Sequence, residues 1–203
     1  MLVPMKTPVY IWLIILFQTF SMVLPAQEAA EKIRKSGGLL LGPGISNFSG
    51  GETSTAENRF IPGLSLGFYQ NFVISRRCSL ETGLLLTSKG SRLDVVGDLY
   101  LHQVLTYLEA PLLGEYQFFI SEKVRFHLAG GAYLSMKLLA FNEVGFPEQI
   151  HRMDMGLDVG LGMRFRTFSY RIEVKRGLLE VDKCEQVVNY KNLTVSLLVG
   201  IAF

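Results

Sequence analysis

The chain has 203 residues and a formal net charge of +2, with 49% hydrophobic and 19% charged residues. A water-soluble domain usually carries about a quarter of charged residues, and a helical membrane protein shows several apolar runs of about 20 residues. The sequence fits neither class, because after residue 26 its apolar residues lie in short segments. The small net charge also gives no support for a nucleic-acid partner, and we expect none.

The first 26 residues have the organisation of a secretory signal peptide. Lys6 supplies a positive charge, residues 9–17 are mostly apolar, and the small residue Ala26 precedes Gln27. A membrane-anchoring helix is the alternative, but such a helix needs about 20 consecutive apolar residues. We therefore predict a cleaved signal peptide at residues 1–26 and one exported domain at residues 27–203.

Eight segments of alternating polarity follow in chain order. They are predicted as strands at residues 38–48, 60–74, 78–89, 103–120, 123–139, 152–166, 169–180 and 190–203. Short connections at residues 75–77, 121–122 and 167–168 alternate with long ones at residues 49–59, 90–102, 140–151 and 181–189. Short periplasmic turns and longer outer loops are typical of bacterial outer-membrane barrels. We predict an all-β protein, an eight-stranded antiparallel up-and-down transmembrane β-barrel in the outer membrane, with both termini periplasmic.

The alternation separates an apolar face from a polar face on each strand. In the sixth segment, Met155, Leu157 and Val159 alternate with Gly156 and Asp158. The apolar faces carry no charge over seven residues, and aromatic residues recur near the short turns, as contact with outer-membrane lipid requires. A soluble periplasmic barrel with an apolar ligand inside would show the same alternation and is the alternative.

The last segment ends on an aromatic residue, Phe203, after an apolar face that includes Leu197, Val199 and Ile201. Strands of transmembrane barrels commonly end on an aromatic residue at the membrane interface. We interpret Phe203 as a C-terminal insertion signal, which makes the barrel-assembly machinery an expected partner during insertion.

An eight-stranded barrel has an interior that side chains just fill. Strand parity points the following charged residues inward: Glu81, Lys89, Glu109, Glu115, Arg125, Lys137, Asp154, Asp158, Arg164, Arg166, Arg171, Glu173 and Lys175. The two signs are nearly balanced, as buried charges require, and this predicts a closed, salt-bridged lumen. A selective channel, in which one sign would dominate, is the alternative.

Histidine and serine positions give little support for catalysis. His102 and His151 fall in predicted loops, and the inward-facing His127 is separated from Ser135 by eight residues of one predicted strand, about 26 Å of extended chain. No Cys/His cluster has metal-ligand spacing. We predict no enzyme activity, no catalytic or metal-binding residue and no cofactor. An outer-membrane enzyme that modifies lipid is the alternative.

The two cysteines, Cys78 and Cys184, are predicted at opposite ends of the barrel. The ends are about 25 Å apart, whereas a disulfide needs Cα atoms within about 7 Å. We therefore predict that the two cysteines are not bridged within one molecule.

Three segments together resemble the PorT-like family of outer-membrane β-barrel proteins of Bacteroidota. Residues 107–116, YLEAPLLGEY, are similar to the family's fourth strand, and residues 153–162, MDMGLDVGLG, to its sixth. Residues 81–90, ETGLLLTSKG, are similar to the family's ELLYSKKG segment. Gly114 and Glu115 depart from the family's usual Leu-Lys and reverse a charge expected in the lumen. The resemblance implies an outer-membrane barrel, and one family member is linked to type IX protein secretion.

Recognition is expected at the long outer loops, because loops on rigid scaffolds concentrate binding residues. The loop at residues 140–151 is the most adhesive candidate, since it contains Phe141, Phe146 and Pro147. The sequence thus predicts a structural or partner-binding protein of the cell envelope, with an envelope or secretion protein as its partner.

Overall fold

A computed structural model describes residues 35–49, 57–94, 100–119, 121, 124–142, 151–179 and 191–203. Within these ranges the chain forms nine β-strands. They are β1 Lys35–Ser49, β2 Glu57–Arg59, β3 Ile61–Val73, β4 Cys78–Asp94, β5 Tyr100–Phe119, β6 Val124–Asn142, β7 Met153–Phe165, β8 Phe168–Gly177 and β9 Lys191–Ala202. Among the described residues, no helix is long and apolar enough to cross a membrane.

The strands form a closed barrel with eight positions. Each strand pairs antiparallel with its neighbour, and β1 closes the ring by pairing with β9, where Gly38 lies opposite Ala202. Strands β2 and β3 share one position beside β4 and are interrupted only at Phe60. The predicted eight-stranded antiparallel barrel is confirmed.

The apolar side chains lie on the outside of this barrel and the polar side chains on the inside. On β7, Leu157, Val159 and Leu161 are 53%, 56% and 58% exposed, whereas the intervening Asp158 is 1% exposed. The period of two that separates the faces is a property of the strand itself. A soluble barrel with an apolar interior, which was the alternative, does not fit this arrangement.

Glycine allows the wall to pack closely against large inward-facing groups. At Gly162 an added Cβ would lie 2.4 Å from the ring of His127, and at Gly156 it would lie 2.7 Å from the ring of Tyr133. Both glycines sit directly opposite these residues across β6 and β7. Because the neighbouring strand supplies no side chain here, the large ring fits inside the narrow barrel.

The prediction of a long loop at residues 90–102 is wrong for residues 90–94 and 100–102, which belong to strands. β4 continues to Asp94 and β5 begins at Tyr100, with Gly90 opposite Val104 and Arg92 opposite His102. His102 therefore belongs to a strand. Glycine and aspartate disfavour strands when judged alone, but here the pairing of two long strands outweighs that local preference.

The two ends of the barrel are named here by their connections. The turn end carries residues 74–77, residue 121 and the turn at Arg166 and Thr167; the loop end is where the strands meet residues 50–56, 95–99, 143–150 and 180–190. The last turn lies one residue earlier than predicted, since β8 begins at Phe168. Arg166 occupies the left-handed region with φ 53°, which a tight hairpin turn requires.

One irregularity in β6 changes which residues face inward near the loop end. The partner of Thr106 is Leu139 and the partner of Tyr107 is Lys137, so Leu138 is an extra residue in β6. Such a bulge shifts the alternation of the bulged strand. As a result Ala140 packs inside, whereas Phe141 on the same strand is 63% exposed.

Candidate functional site

The inward-facing charges assemble into two groups inside the barrel. The arginine cluster is Glu81, Glu115, Arg164 and Arg171, and the lysine cluster is Lys89, Glu109, Asp154, Asp158 and Lys175. Glu173 connects the two, because it contacts Arg171 at 2.6 Å and Lys175 at 3.1 Å. The charged groups therefore form one network along the barrel axis.

The arginine cluster is joined by short ion pairs between strands that are distant in sequence. Arg171 on β8 contacts Glu81 on β4 at 2.6 Å, and Arg164 on β7 contacts both oxygens of Glu115 on β5 at 2.9 Å. Both contacts to Glu115 are made by a single nitrogen, Nη2 of Arg164, and hydrogen bonds between two ionised groups are stronger than those between neutral ones. Glu115 thus has a specific arginine partner in this chain.

Polar side chains complete the environment of the two glutamates. Ser79 donates a hydrogen bond of 2.9 Å to Glu115, and Asn71 donates one of 3.3 Å to Glu81. Gln117 in turn donates to the hydroxyl of Ser79 at 3.3 Å. These neutral partners were not predicted from the sequence, although strand parity places all three inside.

The lysine cluster centres on Glu109, which accepts two cations. Lys89 contacts one of its oxygens at 2.8 Å, and Lys175 forms a short ion pair with the other. Lys175 also lies 3.6 Å from Asp158. Since Glu109 is fully buried, both cations are needed there to offset the loss of hydration of its charge.

Aromatic rings fill the remaining cross-section around Lys89. Its ammonium group lies 4.3 Å from the ring centre of Tyr133 and 5.3 Å from that of Tyr107. The hydroxyl of Tyr133 donates a 3.1 Å hydrogen bond to Asp154, and Asn192 donates another of 2.9 Å to the same oxygen. A buried lysine between two rings gains cation–π stabilisation.

Two clusters of buried apolar side chains lie inside the barrel together with the charged clusters. Phe48, Leu105 and Tyr107 are buried together with Ala140 near the loop end. A second cluster of Leu40, Tyr69, Leu85 and Leu198 lies farther along the barrel. These clusters were missed from the sequence, because the same parity argument assigned the inward faces to polar residues. Among the described residues, apolar as well as charged side chains therefore occupy the interior of the barrel.

Three residues predicted inside lie at the margins. Arg166 is exposed in the turn between β7 and β8, 5.5 Å from the ring of Phe165, because β7 ends at Phe165. Arg125 has the inward parity but is exposed at the turn end of β6. Lys137 lies opposite the buried Tyr107 and is half-buried.

The fully buried charges are consequently not balanced. Six carboxylates are buried, but of the cations only Lys89, Arg171 and Lys175 are buried to the same degree among the described residues, with Arg164 partly exposed. Asp158 is the least supported carboxylate: neither of its oxygens makes a hydrogen bond within the described chain, and its nearest cation lies 3.6 Å away.

His127, the inward-facing histidine, has no arrangement for nucleophilic catalysis. It is buried, and its Nε2 lies 3.8 Å from Glu115, a carboxylate already held by Arg164. Ser135 is also buried and donates its hydroxyl to the carbonyl oxygen of Asp154 at 3.2 Å. A serine nucleophile must instead lie within hydrogen-bond reach of the base at an accessible surface.

The described residues offer no metal site and one exposed thiol. In the described part of the chain, no three histidine, cysteine, aspartate or glutamate side chains are placed to hold a metal ion. Cys78 is an exposed free thiol at the turn end, and His151 is exposed just before β7. Cys184, Phe146 and Pro147 lie outside the described residues.

Residues 26–182 match the family described as the outer membrane protein β-barrel domain. The chain belongs to this family. Its apolar outer wall therefore faces lipid, and the barrel lies in the outer membrane. No curated protein matches the sequence.

Solved structures share the fold of this outer-membrane barrel. OprG from Pseudomonas aeruginosa is 12% identical and has a TM-score of 0.52, covering 86% of this chain and 99% of that one. Neisserial surface protein A is 16% identical, also with a TM-score of 0.52, and covers 82% and 97%. The outer membrane enzyme PagL is 11% identical with a TM-score of 0.40, covering 79% and 98%. At these identities the first two show the fold alone, and the third supports no argument about activity.

Proposed function

We propose that this outer-membrane barrel is non-enzymatic and serves the cell envelope by binding a partner protein through its loop end. The observation that carries the proposal is the filled, ion-paired lumen. Inside the barrel, Arg171 pairs with Glu81 and Lys175 pairs with Glu109. The side chains of the outer wall contact lipid. Of the surfaces that remain, the loops are the longer, and loops on rigid scaffolds commonly carry recognition.

The orientation follows from the same reasoning. We infer that residues 1–26 are removed as a signal peptide and that both termini and the turn end face the periplasm, because outer-membrane barrels have short periplasmic turns. Phe203 then lies at the periplasmic rim, where the barrel-assembly machinery would recognise it. Its backbone N–H donates to Gly37 at 2.9 Å, which attaches it to the first strand.

The resemblance to PorT-like proteins supports an accessory role in protein secretion as the cellular setting. Under this proposal the partner is an envelope or secretion protein that contacts the loop end. A lipid-modifying enzyme would instead need an accessible nucleophile and base; His127 and Ser135 are both buried, so its base would have to be one of the exposed histidines, His102 or His151.

Deletion of residues 142–149 tests the loop assignment. These residues follow the exposed Phe141 at the end of β6, and their loss should leave the barrel folded, with its heat-modifiable band on gels intact. Crosslinks to envelope proteins in intact cells should disappear together with the cellular phenotype.

The matched control is His127→Ala, which changes the lumen and leaves the loops unchanged. If the loop deletion is silent while His127→Ala removes the phenotype in a folded barrel, the enzyme hypothesis replaces this proposal.

A further inference from the structure

The two ends of the barrel differ in charge. At the turn end, five cations are exposed and named here the cationic collar: Lys35, Arg76, Arg77, Arg125 and Arg166. Among the described residues of that end no carboxylate side chain is exposed, since Glu81 and Glu115 are buried in the lumen. The adjoining connection at residues 122–123 adds Glu122 and Lys123, whose charges cancel.

The loop end has the opposite balance. Its strand ends and loops contain the carboxylates Glu52, Glu57, Asp94, Asp98, Glu143, Glu148, Glu180, Asp182 and Glu185. They also contain fewer cations, namely Arg59, Arg92, Lys137, Arg152, Arg176, Lys183 and Lys191. A net positive charge is therefore a property of the turn end alone.

The collar rests on aromatic side chains of the outer wall. The ammonium group of Lys35 lies 5.7 Å from the ring centre of Phe72, and the guanidinium of Arg166 lies 5.5 Å from that of Phe165. Arg77 donates a 3.4 Å hydrogen bond to the hydroxyl of Tyr116.

Aromatic residues on the outer wall of such barrels mark the boundary between hydrocarbon and headgroups. Tyr116 and Phe165 are each 39% exposed on that wall, so the charged groups beside them are held at the depth of the lipid headgroups.

The cations of the collar are distributed around the barrel. Lys35 begins β1, Arg76 and Arg77 connect β3 to β4, Arg125 begins β6 and Arg166 connects β7 to β8. They fall into two groups on neighbouring strands, Lys35 with Arg76 and Arg77, and Arg125 with Arg166, and these groups are separated by β9 on one side of the ring and by β5 on the other. One compact ligand cannot reach all of them, whereas a ring of separate lipid molecules can.

We propose that the cationic collar binds the phosphate groups of anionic lipid headgroups in the leaflet next to the turn end. The guanidinium group matches phosphate in shape and can donate two hydrogen bonds to it. The collar lies on the barrel rim opposite the loops, so this inference depends neither on the partner-binding proposal nor on which end of the barrel faces the periplasm.

Lipid retention by the folded, full-length barrel tests the proposal. The wild-type protein in zwitterionic detergent is titrated with phosphatidylglycerol or phosphatidylcholine, and bound lipid is counted by native mass spectrometry. We expect a preference for phosphatidylglycerol that R76Q/R77Q/R166Q abolishes, with apparent affinity falling about fivefold for each arginine removed. Added salt should weaken the wild-type preference in the same direction.

The chain offers a matched control at the other end. R152Q/R176Q/K191Q also removes three cations, and it should retain the preference for phosphatidylglycerol. R76K/R77K/R166K, which keeps the charge, should retain most of it, and an intact heat-modifiable band of R76Q/R77Q/R166Q shows that the glutamine variant does not act through misfolding.

Several outcomes would overturn the proposal. Unchanged phosphatidylglycerol binding in the glutamine variant would do so, as would an equal loss in the loop-end control. If inorganic phosphate binds the wild type as well as the lipid does, the collar holds a soluble anion and the assignment to lipid is wrong. If the glutamine variant keeps its lipid but loses a crosslink to an envelope protein, the collar is a protein-binding surface instead.

Discussion

At the scale of single residues, Arg171 shows how the lumen is held together. Its guanidinium contacts Glu81 and Glu173 at 2.6 Å each, and Glu115 at 3.7 Å. Removing one partner of a buried ion pair leaves an uncompensated charge, which costs more than the pair contributes. Arg171 should therefore be among the least replaceable residues of the lumen.

We expect Arg171→Gln to lower the free energy of unfolding by about 3–5 kcal/mol. The matched control is Arg176→Gln, which makes the same change on the same strand but on the exposed outer face; exposed positions usually change stability by less than about 0.5 kcal/mol. Urea unfolding of both variants in lipid vesicles measures the difference. Equal effects would mean that the lumen is wet and its charges are screened.

Removing the charge of Asp158, unlike removing that of Arg171, should not destabilise the barrel. Carboxylates outnumber cations among the buried charges, and Asp158 makes no hydrogen bond within the described chain. Asp158→Asn should therefore leave the midpoint of the heat-modifiability transition unchanged or raise it. Asp154→Asn is the comparison, since Asp154 accepts hydrogen bonds from Tyr133 and Asn192, and we expect it to cost about 1–3 kcal/mol. A larger loss from Asp158→Asn than from Asp154→Asn would contradict this assignment.

At the scale of strands, the sequence was sufficient to predict which face of the barrel wall a side chain occupies. It was not sufficient to predict which charged residue that side chain would pair with. Alternation on β7 and β8 assigned Asp158, Glu173 and Lys175 to the interior because the period of a strand is fixed by its geometry. That Arg171 meets Glu81, 90 residues away, depends on the stagger of the whole barrel. No local pattern encodes this distance.

Predictions from local residue preferences were also wrong about where some strands end. Gly90 and Ser91 were assigned to a loop, although β4 pairs with β5 as far as Asp94. Arg166 was assigned to the lumen by extending the alternation of β7 one residue beyond its end at Phe165. Both errors arise where cross-strand pairing, rather than residue type, determines where a strand stops.

The two natural cysteines test the direction in which the connections point. Cys78 is exposed at the turn end, and Cys184 lies in the connection between β8 and β9. On intact cells, an impermeant thiol reagent should label Cys78→Ser, which keeps Cys184, and should not label Cys184→Ser, which keeps Cys78. Both variants should react after the outer membrane is permeabilised. The reverse pattern on intact cells would invert the proposed orientation.

At the scale of the whole molecule, the packed interior predicts an electrically silent barrel. Tyr107 and Tyr133 flank Lys89, and Phe48 with Leu105 closes the region near the loop end. We expect no steady conductance from the purified protein in planar bilayers. Tyr133→Ala combined with Tyr107→Ala, which removes both rings, is the positive comparison and should produce measurable leak currents. A stable conductance of the wild type would instead favour the selective-channel interpretation.

The pairing of β1 with β9 has a consequence for the order of assembly. Gly38 lies opposite Ala202, and Phe203 donates its backbone N–H to Gly37. The first described strand, β1, therefore gains its second partner only when the last strand, β9, is in place. Until β9 arrives, β1 and β8 are open sheet edges, which readily pair with other chains. During that interval Arg171 on β8 also lacks the closed surroundings that exclude water from its contact with Glu81. Shielding of the open sheet by another protein would therefore be needed until β9 pairs with β1, and the contact of Arg171 with Glu81 could become fully buried only at that closure.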